Sequence, residues 1–257
     1  MPSFYTQKYY ADLQTDNNEH LIVYVAKIKW GIIQFTYSGY CLKSNLGVYT
    51  EVNRFNKPLS LKKESNFKIS FDELQGSWNP LDKPIDPQEL YRDGANLVSW
   101  DCFAPLCDAE VIIEGKTYKG LGYAEVLETT IAPWKLPIKE LYWGRAINSH
   151  NHLVWIVWKG KHPIHKAWLN GKEQQVSSIE LNDLFLADGT SCSLQKATPL
   201  RRGEVGKTIF KTLSILKYLF PIKAFRITEE KFVGIAHAKV NLWEMQFKTI
   251  FERALWP

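Results

Sequence analysis

The sequence predicts an all-β, mainly antiparallel fold: one β-barrel or two merged barrel units, with a short C-terminal helix. Three observations carry this reading. Short apolar runs recur at regular spacing with turn residues between them, as antiparallel strands do. Ten Trp, twelve Tyr and thirteen Phe among 257 residues suit half-buried pleated surfaces and a cavity for an apolar ligand. Asn170-Gly171, set between two such runs, is the sequence of a type I′ hairpin turn, in which both central residues need positive φ.

The elements follow in order. His20 to Lys29 alternates Leu21, Val23 and Val25 against Ile22, Tyr24 and Ala26, apolar on both faces as in a buried central strand. Trp30 to Tyr40 reads as its hairpin partner, Gly39 to Arg54 as a further pair, and Phe67 to Phe71 as a cleanly alternating strand. From Gly76 to Gly94 the chain turns rich in Pro, Asp and Gly, the composition of a long irregular connection or lid. That stretch separates an N-terminal β unit, 1–75, from a C-terminal one, 95–257, unless the two form one continuous double barrel. Beyond it, strands are expected over Asn96 to Phe103, Ala109 to Glu114, Thr117 to Leu127, Glu140 to Asn148, His152 to Lys159, Ile164 to Leu169 and Glu173 to Ser178. Lys207 to Phe220 fits helix or strand. As a helix it carries Ile209, Leu213, Leu216 and Phe220 on one face, a pattern that docks on a core or makes a peripheral membrane contact. Leu242 to Leu255 spaces Trp243, Phe247, Ile250 and Ala254 as one helical stripe that stops at Pro257. Gly120, Tyr123, Ala124, Glu125 and Val126 also match Gly234, His237, Ala238, Lys239 and Val240 at identical offsets, as two similar β units would.

Composition excludes several functions. The formal charge of +5 comes from scattered Lys and Arg without a basic, aromatic-interleaved stripe, so no nucleic-acid partner is expected. Cys41, Cys102, Cys107 and Cys192 are too few for a disulfide scaffold and match no zinc or redox spacing. The opening residues lack the apolar run of a secretory signal and no stretch is long enough to span a bilayer, so a cytoplasmic location is expected. His150, His152, His162 and His165 gather around a turn among lysines, which predicts solvated loop histidines, with no metal and no cofactor. Gly206-Lys207-Thr208 lacks the upstream glycine of a phosphate loop, Arg201 standing in its place, and no Gly-x-Ser-x-Gly elbow offers a nucleophilic serine.

The chemistry concentrates in Gly120-Leu121-Gly122-Tyr123-Ala124-Glu125 and Leu141-Tyr142-Trp143-Gly144-Arg145. Alternation puts Tyr123 and Glu125 on one strand face, and Leu141, Trp143 and Arg145 on one face of the next expected strand. Inside a barrel, that acid and that cation would share an apolar lumen, where charges are costly unless paired. The catalytic candidates are Glu125 and Tyr123; the substrate-binding candidates are Trp143, Arg145, Trp100 and Tyr142.

These same segments, with Val98-Ser99-Trp100, Ala104-Pro105 and the Pro-rich Pro133-Trp134-Lys135-Leu136-Pro137 between them, resemble the carotenoid 1,2-hydratase (hydroxyneurosporene synthase) and AttH-like superfamily. Tyr9-Tyr10-Ala11-Asp12 is similar to the aromatic opening of its members. The resemblance implies a lipocalin-like fold and an enzyme acting on an apolar substrate, since the superfamily also includes fungal Diels–Alderases of polyketide pathways. Where the hydratases carry Gly-Tyr-His-Asp-His-Asn, this chain has Gly122-Tyr123-Ala124-Glu125-Val126-Leu127, with one acid and neither histidine. That departure weakens alkene hydration as the reaction and leaves the acid in place.

Three functions remain. In an isomerase or cyclase, the pocket folds an isoprenoid- or polyketide-like substrate while Tyr123 or Trp143 donates a hydrogen bond or Glu125 a proton. A hydratase would use Glu125, kept protonated by an apolar site, to protonate an alkene ahead of water. A carrier would need neither, with Trp143 and Arg145 as a cation–π plug and Glu125 as the buried partner of Arg145. In every case the partner is a hydrophobic small molecule.

Overall fold

The computed structural model describes residues 4–180, 183–194, 197–204, 226–240 and 243–257, and none of these is in an α-helix. Lys207 to Phe220 and the string Gly206-Lys207-Thr208 lie outside the described residues. The chain divides into two units, Met1–Ala132 and Pro133–Pro257.

Unit 1 contains β1 (Phe4–Thr15), β2 (His20–Trp30), β3 (Ile33–Lys43), β4 (Tyr49–Phe55), β5 (Ser60–Lys63), β6 (Phe67–Phe71), β7 (Leu74–Pro80), β8 (Gln88–Asp93), β9 (Asn96–Ile113) and β10 (Lys116–Thr129). They form one antiparallel sheet in the order β4-β3-β2-β1-β10-β9-β7-β6-β5, with β8 also on β9, curled into a half-barrel. Residues 76–94, expected as an irregular connection, supply the end of β7 and all of β8. Their prolines, Pro80, Pro84 and Pro87, sit at the end of β7 and in the bends between the two strands, where a missing N–H interrupts no ladder. One face of the sheet is apolar throughout: Ala11, Leu13, Leu21, Val23, Phe67, Ile69, Trp78, Val111 and Ala124 pack as one cluster.

Unit 2 contains β11 (Ile138–Ile147), β12 (His152–Gly160), β13 (Ile164–Leu169), β14 (Lys172–Ile179), β15 (Asp183–Leu186), β16 (Ser191–Ser193), β17 (Thr198–Glu204), β18 (Thr228–Val240) and β19 (Trp243–Leu255). Eight of them close a ring, β11 to β16 followed by β18 and β19, because β16 pairs with β18 at Cys192 and Ala238. Asn170 and Gly171 take φ of 49° and 75°, the type I′ turn that their sequence specifies. Tyr142, Trp155, Val157, Ala167, Leu184, Ala236, Phe247 and Phe251 fill the ring.

The C-terminal helix expected over Leu242 to Leu255 is instead β19. Met245, Phe247 and Phe251 belong to the barrel cluster while Ile250 and Ala254 are buried on the other side. A strand buried on both faces contains apolar residues at helical spacing as well as at alternate positions, and thirteen paired positions with β18 settle the choice. The matching segments Gly120 to Val126 and Gly234 to Val240 occupy β10 and β18, each with its alanine, Ala124 or Ala238, in the cluster of its own unit.

Gly144 shows how tightly the ring is filled. A Cβ there would stand 2.3 Å from Trp155 Cζ2 and 2.6 Å from Phe251 Cβ. The indole lies across the bare backbone, so Gly144→Ala is expected to destabilise unit 2 by about 1–3 kcal/mol. A urea titration followed by Trp fluorescence checks this.

Candidate active site

The face of unit 1 turned away from its apolar cluster carries a buried polar band. Tyr123 and Glu125 on β10 lie beside Tyr10, Asp12 and Gln14 on β1 and His20 and Tyr24 on β2, none more than 8% exposed. Buried polar side chains are the informative kind, because each costs free energy unless it is hydrogen-bonded. The sequence placed Glu125 inside a barrel lumen; it is on the opposite face of its sheet. Alternation alone cannot tell which way a sheet curls.

Glu125 Oε2 accepts a hydrogen bond from Trp100 Nε1 and another, of 2.6 Å, from the Tyr123 hydroxyl. Trp100 reaches it from β9, whose ladder to β10 shifts register twice between Gly122 and Val126, the stretch that holds Tyr123 and Glu125, and bulges of this kind re-aim side chains. Burial, and then the neighbouring Cys102 and Glu125, hold the Tyr123 phenol well above its ordinary range, so it stays an O–H donor at any working pH. Burial likewise pushes up the Cys102 thiol beside it, which keeps that sulfur unreactive.

Asp12 and Tyr10 complete the band, and the sequence reading missed both as site residues. The Tyr10 hydroxyl donates to Asp12 Oδ2 at 3.0 Å, repeating on β1 what Tyr123 does for Glu125 on β10. The two strands spell the same unit, Tyr10-Ala11-Asp12 and Tyr123-Ala124-Glu125, and pair antiparallel so that each tyrosine faces the other strand's acid. The Tyr10 ring meets those of Tyr24 and Tyr123 edge-on, with centroids 5.5 and 6.1 Å apart. Gly122 makes the approach of β1 feasible: a Cβ there would lie 2.3 Å from the Asp12 carbonyl oxygen, which also accepts from Trp78 Nε1 at 2.7 Å. A doubled Tyr-Ala-acid string was the available signal, but only the register gives it meaning.

The second motif belongs to the other sheet. β11 is not a neighbour of β10: β1 and β9 take both edges of β10, and β12 and β19 take both edges of β11, in separate sheets. β10 and β11 are therefore not the neighbouring strands that the sequence suggested. Trp143 and Arg145 are buried on the face of β11 that looks away from the barrel cluster, and Arg145 Nη1 donates to the Lys248 carbonyl at 2.8 Å.

Tyr142, on the inward face of β11, lies against two cations. Lys159 Nζ lies 4.7 Å from its ring centroid and the Arg253 guanidinium 5.8 Å. Its hydroxyl donates to Glu140 Oε1 at 2.9 Å, and Arg253 Nε donates to the same oxygen at 2.6 Å. Burial opposes ionisation of Glu140, but bonds from Arg253, then Tyr142 and Lys159, outweigh it and hold the carboxyl below its ordinary range. The folded value thus lies under the unfolded one. The contribution of Glu140 is complete above the unfolded value, about pH 4.3, and disappears as pH falls through the folded one. Glu140→Gln is expected to cost about 1–2 kcal/mol at neutral pH and progressively less below about pH 4. Urea melts of both proteins across that range test this.

Among the described residues, no three His, Cys, Asp or Glu side chains gather as a metal site, nor is any helix long and apolar enough to cross a membrane.

The arrangement defines a lipocalin-like β protein with a polar, aromatic-rimmed carboxyl centre on one of its two units. No family model and no curated protein sequence matches the chain. Solved structures do. CghA has a TM-score of 0.64 at 7% identity over 99% of this chain and 88% of its own, and its complex with Sch210972 scores 0.61 at 8% with the same coverage. Kievitone hydratase from Nectria haematococca scores 0.59 at 8% identity, covering 98% of this chain and 88% of its own. At such identities the likeness is one of fold, and it is the fold that the motifs around Gly120 and Arg145 imply.

Proposed function

We propose that this protein is an enzyme that reorganises the bonds of a hydrophobic, isoprenoid- or polyketide-like small molecule without changing its composition, as an isomerase or cyclase. The observation that carries the reading is the buried carboxyl of Glu125, oriented by Trp100 and Tyr123. Both bonds converge on Oε2, which fixes the plane of the carboxyl group. A carboxyl so held is pre-organised to give or accept a hydrogen bond, or a proton, at one place on a substrate. Tyr123, Trp100, Tyr10 and Tyr24 supply flat apolar faces for a folded chain of carbon atoms, and aromatic faces stabilise positive charge developing on it. Asp12, with Tyr10, is a second acid of the same band. The fold shared with a hydratase and with a protein crystallised with a small molecule supports an enzyme of this general kind.

The test is a panel of apolar polyenes and enones incubated with the purified protein and analysed by liquid chromatography with mass spectrometry. The expected result is a new species of unchanged mass, formed by the wild type. A product one water heavier makes the enzyme a hydratase, and retention of a panel compound with no conversion makes the protein a carrier; either result overturns the isomerase or cyclase reading.

A further inference from the structure

We infer that the hairpin tip between β2 and β3 docks the protein on an anionic lipid surface. The tip is Trp30-Gly31-Ile32-Ile33, closed by the Trp30 and Ile33 pair with Gly31 at φ 58°. Two-residue hairpin turns favour Gly, Asn and Asp, yet the apex here is Ile32, whose side chain is fully exposed at 102%. A lone exposed apolar residue needs no explanation. This one has a large apolar residue on each side of the turn and a basic collar behind it. Lys27 and Lys29 stand three and one positions before Trp30 on β2, and Lys57 follows Asn56, whose N–H donates to the Thr36 carbonyl of β3. For Lys27 the nearest acid along its paired row is Glu128, two strands away and bonded to the Gln7 side chain between them.

An apolar apex with cations set back from it matches the layering of a membrane surface, where acyl chains lie beneath anionic headgroups. An indole at the boundary suits the same interface. The other end of β3 does not. Leu46 and Val48 are exposed there, about 36 Å away along the eleven residues of β3. Asp16 and Glu19 of the adjoining β1–β2 turn accompany them, Glu19 paired with Lys116 and Lys43 ending β3, so the charges at that end are mixed. Docking by the Ile32 end would present the protein to the phase in which an apolar small molecule partitions. None of the groups of the active site takes part in this docking.

Flotation with vesicles of phosphatidylcholine, alone or with about a quarter phosphatidylserine, tests it. The wild type is expected to float with the serine-containing vesicles and not with phosphatidylcholine alone. Ile32→Glu should weaken binding at least about tenfold, and Lys27→Gln about fivefold. Leu46→Glu should leave binding unchanged. Circular dichroism and the melting temperature of the Ile32 variant should match the wild type, because the side chain is wholly exposed. Absence of flotation with either vesicle, undiminished binding of a folded Ile32→Glu protein, or loss of binding in Leu46→Glu overturns the proposal.

Discussion

Lys231→Met is expected to destabilise unit 2 by about 3–5 kcal/mol, the usual consequence of removing one member of a buried charge network. Lys231 is 1% exposed on β18, and its ammonium contacts the carboxylates of Glu229, at 2.7 Å, and Glu252. Arg201 reaches the same Glu229 oxygen at 2.7 Å. Two cations and two carboxylates balance, and deleting the lysine takes that partner from the buried Glu229 and from the half-buried Glu252 alike. Burial alone would lower the lysine's pKa, but Glu229 and Glu252 raise it further than burial depresses it. A folded value above the unfolded one means that the contribution is complete below the unfolded value, hence throughout the neutral range, and is lost only as pH rises through the folded value. Urea melts at neutral pH should therefore show the whole deficit. The double variant Lys231→Met with Glu252→Gln should recover part of it, since no charge is then stranded at Glu252.

Glu125→Gln is the second large effect, and it falls on turnover. The amide keeps the size of the carboxyl group and can still accept from Trp100 and Tyr123, but it cannot carry a proton. On the panel substrate, kcat should fall by about 10²–10⁴-fold if a proton is transferred. Binding, which rests on the aromatic faces, should change little. Tyr123→Phe should be milder, because the phenol orients the carboxyl and contributes one hydrogen bond. A Glu125→Gln protein with wild-type kcat would reduce Glu125 to a structural acid.

Much of the fold was legible because alternation and turn chemistry are local. The β2 alternation and the Asn170-Gly171 turn needed nothing beyond neighbouring residues. β19 was misread because a strand buried on both faces satisfies helical and strand spacing alike. What local pattern cannot contain is strand order and the sense of curl. That β10 and β11 are not neighbouring strands lay beyond local pattern, since a Pro-rich connection between consecutive strands can lead either to a hairpin partner or to a new sheet. The facing of Tyr142 and Trp143 came from curl: adjacent residues face opposite ways, and only closure of the ring decides which is inside. Within the site, Trp100, Tyr123 and Glu125 come together as a hydrogen-bonded group. Asp12 stayed hidden because its meaning depends on a register between residues more than a hundred positions apart.

The most direct test of the central claim is a crystal structure of the protein with a bound apolar ligand drawn from the converted panel. A ligand lying over Tyr10, Trp100 and Tyr123, with a polar atom or reacting carbon within hydrogen-bonding reach of the Glu125 carboxyl, is the predicted result. A ligand seated elsewhere, with the Glu125 carboxyl sealed by protein atoms on every side, would contradict it.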